Sequence, residues 1–173
     1  MLGDDYVTLP GHQATLGVTI ETAPAAIWPW LLQMGYRRGG LYSYDWLDRL
    51  FGYLDRPSAD RILPQWQQLR VGDEIPIGRG GAFPVRAIEP NRSLVLGGFD
   101  HDVEWSWELQ LTPQADGSTR LVSRNRVWTR RTFRSHMTML LMKPAAFLMT
   151  RKMLLGIKRR AEVTGGLEGA AAA

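Results

Sequence analysis

The side chains able to do chemistry in this chain are few, and carboxylates and aromatic rings dominate them. Asp45 stands among Tyr44, Trp46 and Arg49, and Asp60 is followed by Arg61 and Trp66. Rings that desolvate a carboxylate raise its pKa toward neutrality, where it can serve as a general acid or base, whereas a nearby guanidinium pushes it back down. Helix capping and ion pairing, for instance of Asp60 with Arg61 or Arg37, are the competing structural uses of the same residues. His12, His101 and His136 are far apart in sequence, and Asp100-His101-Asp102 reads as a polar turn between two strands. A turn alone does not converge ligands on a metal. The chain has no cysteine, which excludes disulfides, thiolate metal sites and cysteine nucleophiles. Neither a GxSxG elbow nor a GxxxxGK phosphate loop is present, and the glycines of GRGGAF (78–83) suit a hairpin. No metal and no cofactor is expected.

The element best suited to shape a site is a long amphipathic helix predicted from Pro144 to Glu162. Ala146, Met149, Thr150, Met153, Leu154, Ile157 and Ala161 fall on one stripe at spacings of three and four, while Arg151, Lys152, Lys158, Arg159 and Glu162 fall opposite. Pro144 suits the first turn and Gly165-Gly166 a stop. Methionines in the stripe can line an adaptable cavity or fill an irregular core. What precedes this helix is mostly strand grammar. VGDEIPIG (71–78), FPVRAIEP (83–90), SLVLGG (93–98), VEWSWELQLTP (103–113) and STRLVSRNRVW (118–128) are punctuated by Gly, Pro, Asp and Asn, the pattern of an antiparallel meander, with QADGS (114–118) as a hairpin turn. Trp105, Trp107, Leu109 and Leu111 share one face of their strand. On the next strand Ser123 and Asn125 share parity with Leu121 and Val127, with Arg120, Arg124 and Arg126 on the other side. Buried Ser and Asn need partners, which a ligand, a trapped water or a local irregularity could supply.

The first third of the chain carries the helices. Residues 1–14 read as a loosely held lead-in, 16–21 as a strand, and 23–34 as one kinked helix or two short ones, with Thr22 placed to cap it and Pro29 inside it. Ser43 or Asp45 is placed to cap a helix reaching about Phe51. Residues 58–69 form an irregular lobe interrupted by Pro64.

Composition bounds the rest. At 173 residues, 45% hydrophobic and 22% charged, the chain fits one domain with a substantial core, and its seven tryptophans are many for its length. No basic, apolar leader opens it and no run nears the about 20 apolar residues of a membrane span, so a cytoplasmic location is the default expectation. The net charge of +4 gathers late, in Arg124–Arg134 and Arg151–Arg160. Those runs would suit an anionic membrane as a peripheral contact. Only Trp128 and Phe133 interleave with the first of them, too few rings for a nucleic-acid platform.

The order of elements, together with AAIWPWLLQMG (25–35), GGLYSYDWL (39–47), SADRILPQWQQLRVGDEI (58–75) and RKMLLGIKRRAE (151–162), resembles the START-like, or SRPBCC, superfamily, which includes polyketide cyclase/dehydrase-like and lipid-transfer proteins. The resemblance spans about residues 16–162 and carries no named catalytic motif. It implies an α+β helix-grip fold, in which a curved antiparallel sheet wraps the C-terminal helix around an internal cavity, as a single domain over 15–163 with a flexible tail at 164–173. It further implies that Arg37, Tyr42, Tyr44, Trp46, Trp66, Phe83, Trp105, Trp107, Ser123, Asn125, Met149 and Met153 line that cavity. The function expected is binding of a hydrophobic or aromatic small molecule or lipid by a monomer or homodimer. The alternative is an enzyme of the cyclase/dehydratase type with Asp45 or Asp60 as acid/base.

Overall fold

Alternation in the second half of the chain gives the strands it predicts. The computed structural model describes residues 1–7, 10–78, 80–100, 103–129 and 133–171, with the side chains of 100, 133–142 and 167–171 outside that description. Strands β2 (Glu74–Pro76), β3 (Ala82–Glu89), β4 (Ser93–Asp100), β5 (Val103–Pro113) and β6 (Thr119–Thr129) pair antiparallel in succession, and β1 (His12–Ile20) adds to β6. The sheet order is β1-β6-β5-β4-β3-β2. The β5–β6 turn closes as its residues demand: Gln114 N–H donates to the Ser118 carbonyl at 2.8 Å, Asp116 accepts from the Ser118 N–H and hydroxyl, and Gly117 takes the left-handed backbone at φ 84°.

Helix α1 (Pro24–Leu32) runs unbroken through Pro29. Its cap position is held by Ala23 and Pro24 fills the first turn, so Thr22 does not cap it; the Thr22 carbonyl instead accepts from the Thr119 hydroxyl at 2.7 Å. Helix α2 (Asp45–Leu50) is short, and α3 (Phe133–Ala171) is long. Pro144 lies inside α3 rather than at its start, and the helix passes through Gly165-Gly166 to Ala171, where a flexible tail is expected.

Met153, Leu154, Ile157 and Ala161 of α3 are buried against Ile20, Ile27, Leu31 and Leu121. Each such Met, Leu or Ile side chain gains roughly 1.5–3 kcal/mol on burial, which fixes the helix against β1, β6 and α1. The result is the helix-grip arrangement: a curved six-stranded antiparallel sheet with the C-terminal helix along its inner face.

Part of the outer face of the sheet is covered by the N-terminus. Residues Leu2–Asp5, within the expected loose lead-in, form a 3-10 turn seated on β4 and β5, and the strand expected from residue 16 already begins at His12. Glu108 faces this turn and is buried; its carboxylate accepts from the backbone N–H groups of Leu2 and Gly3, at 3.2 and 2.8 Å, and from the Ser93 hydroxyl at 2.8 Å. Beside it Arg124 and Arg126 hold Asp4 at 2.9 and 2.6 Å. Parity therefore places both arginines on the outer face as predicted, but there they clamp the N-terminus.

Candidate functional site

The segment richest in rings and guanidinium groups, 35–60, is knotted into itself. Tyr42 is buried, with a left-handed backbone (φ 57°), and its hydroxyl donates to the Trp30 carbonyl at 3.1 Å while the two rings meet edge to face. The Arg160 guanidinium lies 4.9 Å from the Tyr42 ring centre and donates to the Ala59 carbonyl, tying this loop to α3. Burial pushes the Tyr42 phenol well above its ordinary pKa, so it stays protonated as a donor. The fully buried Gln33 amide donates to the Arg61 carbonyl and accepts from Leu63 N–H, which pins the irregular lobe below.

Asp45 belongs to the same knot. Its two oxygens accept from the Ser58 hydroxyl at 2.7 Å and the Ser58 N–H at 3.1 Å, and Ser58 in turn accepts from Tyr42 N–H. Asp60 is solvent-exposed. Asp48, not singled out in the sequence, is the buried carboxylate here: burial raises its pKa, the Ser43 hydroxyl bonded to it opposes that rise, and neighbouring Asp45 adds to it. The Ser43–Asp48 bond turns α2 so that Asp48 faces inward and Trp46 outward, which removes Trp46 from the expected cavity lining. Arg37 also lies outside, its side chain largely exposed and paired with Asp55 at 3.9 Å. Tyr44 sits under Lys152, and Trp66 under Arg38, whose guanidinium is 4.4 Å from the indole and donates to the Leu32 carbonyl. These four residues serve the lobe rather than the sheet.

The inner face of the sheet brings together a different group. At its centre Trp107 is buried and its indole N–H donates to the Ser123 hydroxyl at 2.8 Å, so the partner required by the buried serine is a neighbouring strand's tryptophan. Phe83 packs edge-on against Trp105 and Trp107, with ring centres 4.7 and 5.5 Å apart. From this trio toward the start of β1 the burial falls away. Ala14 and Leu16 of β1, Asn125 and Val127 of β6, Trp105 of β5 and Phe83 of β3 are half-buried, and register places Ala14 opposite Asn125 and Trp105 opposite Val127. On α3 the same gradient appears: Met153 is packed into the core, Met149 is half-buried, and 143–148 are exposed. The helix is thus pressed onto the sheet along 153–161, while its residues 143–148 are exposed among the described residues. Met153 belongs to the packed stretch, whereas Met149 on α3 and Phe83, Trp105 and Asn125 on the sheet are each half-buried.

His12 stands at the end of this region, opposite Val127. Its pKa is lowered, first by burial and then by the Lys143 ammonium nearby, so the imidazole is neutral at neutral pH. Sequence reasoning missed it because residues 12–14 carried no strand signal distinct from the lead-in. Its counterparts His101 and Asp102, with the side chains of Asp100 and His136, lie outside the described residues, so the polar turn expected there does too. Separately, an open groove of about 440 Å³ lies on the outer side of α3, between Leu155, Lys158, Arg159, Glu162 and Val163, away from the inner face.

No protein-family model and no curated protein matches the chain. Among solved structures it is similar to protein Mll3558 from Rhizobium loti (16% identity over 86% of this chain and 96% of that one, TM-score 0.49). It is also similar to CalU16 from Micromonospora echinospora (15% identity, 90% and 87% covered, TM-score 0.41). A third likeness is to the Aha1 dimer from Colwellia psychrerythraea (19% identity, 85% and 98% covered, TM-score 0.46). At these identities the likenesses do not bear on what this chain binds. No helix of the described residues is long and apolar enough to cross a membrane.

Proposed function

We propose that this protein binds a hydrophobic small molecule, aromatic or lipid-like, against the inner face of the sheet beside the part of α3 around Met149. The burial gradient supports the reading: Met153, Leu154, Ile157 and Ala161 are packed into the core, while the rings of Phe83 and Trp105, with Leu16 and Met149, are only half covered. A ligand hiding about 300 Å² of apolar surface there gains roughly 7 kcal/mol at about 25 cal/mol per Å², before the cost of association. Asn125 and the neutral His12 supply the polar contacts that would fix its orientation. The carboxylates offered for acid/base work do not favour catalysis here, because Asp45 is engaged by Ser58 and Asp60 is in solvent.

Native mass spectrometry of the protein from its host, followed by a thermal-shift panel of fatty acids, sterols, flavonoids and polyketides, tests the proposal. A co-purifying apolar molecule or a stabilising panel member is expected, with the effect lost in Met149→Trp. An empty wild-type protein that no panel member stabilises, or full binding by Met149→Trp, would overturn it.

A further inference from the structure

Helix α2 is inverted for a surface helix. Its Asp48 is buried, while Trp46, Leu50 and the adjoining Phe51 are 67, 71 and 58% exposed, with Arg49 exposed among them. The helix cannot roll to hide its rings, because that would strip Asp48 of the Ser43 hydroxyl and Asp45 of its two Ser58 donors. Large apolar side chains held in water beside a buried acid depart from an ordinary surface, and such patches mark interaction sites.

A second stripe adjoins the first. Leu148, Lys152, Leu155, Arg159 and Val163 recur along α3 at spacings of four and three, and so share one outer face. Leu148, Leu155 and Val163 are 52, 39 and 62% exposed. The Lys152 ammonium lies 5.5 Å from the centre of the Tyr44 ring, and Tyr44 is the residue from which α2 starts, so the two stripes meet there. Among the described residues no carboxylate pairs with Arg49, Arg151, Lys152 or Arg159. Two acids of α3 and the adjoining loop are engaged by other groups: Glu162 by Lys158 and the Glu21 N–H, Asp55 by Arg37 and Arg56.

We infer that this face docks the protein on an anionic lipid bilayer, with Trp46, Leu50 and Phe51 entering the headgroup layer and Arg49, Lys152 and Arg159 resting on lipid phosphates. Tryptophan favours that layer, where ring and N–H meet apolar and wet surroundings at once. Long basic side chains reach phosphates while their stems cover apolar surface. A second copy is the poorer occupant, since a two-fold contact sets this patch against the same patch, whose cations Arg49, Lys152 and Arg159 have no carboxylate partner among the described residues.

Vesicle flotation tests the inference, with phosphatidylcholine vesicles carrying or lacking phosphatidylglycerol. Wild-type protein should float with the phosphatidylglycerol vesicles and stay behind with pure phosphatidylcholine, and should be released by salt. Arg49→Gln and Lys152→Gln should each weaken binding about fivefold. Trp46→Ser/Leu50→Ser should lose it about tenfold or more with its circular dichroism unchanged, since both side chains already face water. No flotation of wild-type protein, or undiminished flotation of the Trp46/Leu50 variant, would overturn the inference. So would a concentration-dependent dimer abolished by Trp46→Ser, which would give the face to a second copy. None of these outcomes depends on whether the inner-face ligand exists.

Discussion

Gly156→Ala reverses the sign that helix propensity assigns. In the interior of a helix, replacing Gly by Ala ordinarily stabilises by about 1 kcal/mol. A Cβ at 156 would run into the Tyr42 carbonyl oxygen and stand 3.0 Å from the Tyr42 Cβ. The obstacle is backbone, in a residue whose ring and hydroxyl are held by Trp30 and Arg160, so it does not step aside cheaply. Forcing the helix off the loop costs roughly 1–3 kcal/mol by overpacking, and more if the Arg160 contacts separate. The net expectation, cost less the propensity gain, is destabilisation of up to about 2 kcal/mol, or up to roughly 4–8 °C in Tm for a chain of this size. Gly166, on the same helix with nothing within 4 Å of its added Cβ, is the control: Gly166→Ala should be neutral or stabilising by up to about 1 kcal/mol. Urea unfolding of the wild type and the two variants decides the matter. Equal stabilisation by both alanines would refute the claim that α3 and the Tyr42 loop touch at Gly156.

Three further outcomes follow from individual contacts. Ser123→Ala leaves the buried Trp107 indole N–H without its acceptor, and should cost about 1–3 kcal/mol in denaturant unfolding. Met153→Trp overpacks the core and should lower Tm, whereas Met149→Trp, at a half-buried position, should leave Tm near the wild type; differential scanning fluorimetry separates them. At Asp4, burial raises the carboxyl but the hydrogen bonds from Arg126 and Arg124 prevail and hold it at about 2, below its ordinary 3.8. A depressed carboxyl contributes stability that is present above its unfolded pKa and is lost as pH falls from 3.8 toward about 2. Because the site is partly open to water, Asp4→Asn should cost only on the order of 1 kcal/mol at neutral pH. It should also flatten the stability–pH curve within that window.

The meander, the hairpin at 114–118 and the Met153–Ala161 part of the inward stripe of α3 were legible in the sequence because each is set by local periodicity: alternation along strands, recurrence at three and four along a helix, turn residues between them. Parity likewise put Ser123 with Leu121 inside and Arg124 and Arg126 outside. The uses of those residues were not legible. Ser123 is satisfied by Trp107 and Arg124 by Asp4, partners that only strand register and the docking of the N-terminus bring near. Alternation puts Glu108 on the face of β5 opposite that of Trp107 but does not give its burial, which comes from a 3-10 turn more than a hundred residues earlier in the chain. The Tyr42 segment announced itself by composition, but composition could not tell a ligand cradle from a staple. The phase of six residues in α2, set by Ser43 and Asp48, sent Trp46 out to the surface. Local pattern thus determined which elements form and which face of each is apolar, since those depend on neighbours along the chain. Tertiary structure decided which polar groups meet and which side chains of each apolar face are packed into the core, because those depend on neighbours across space.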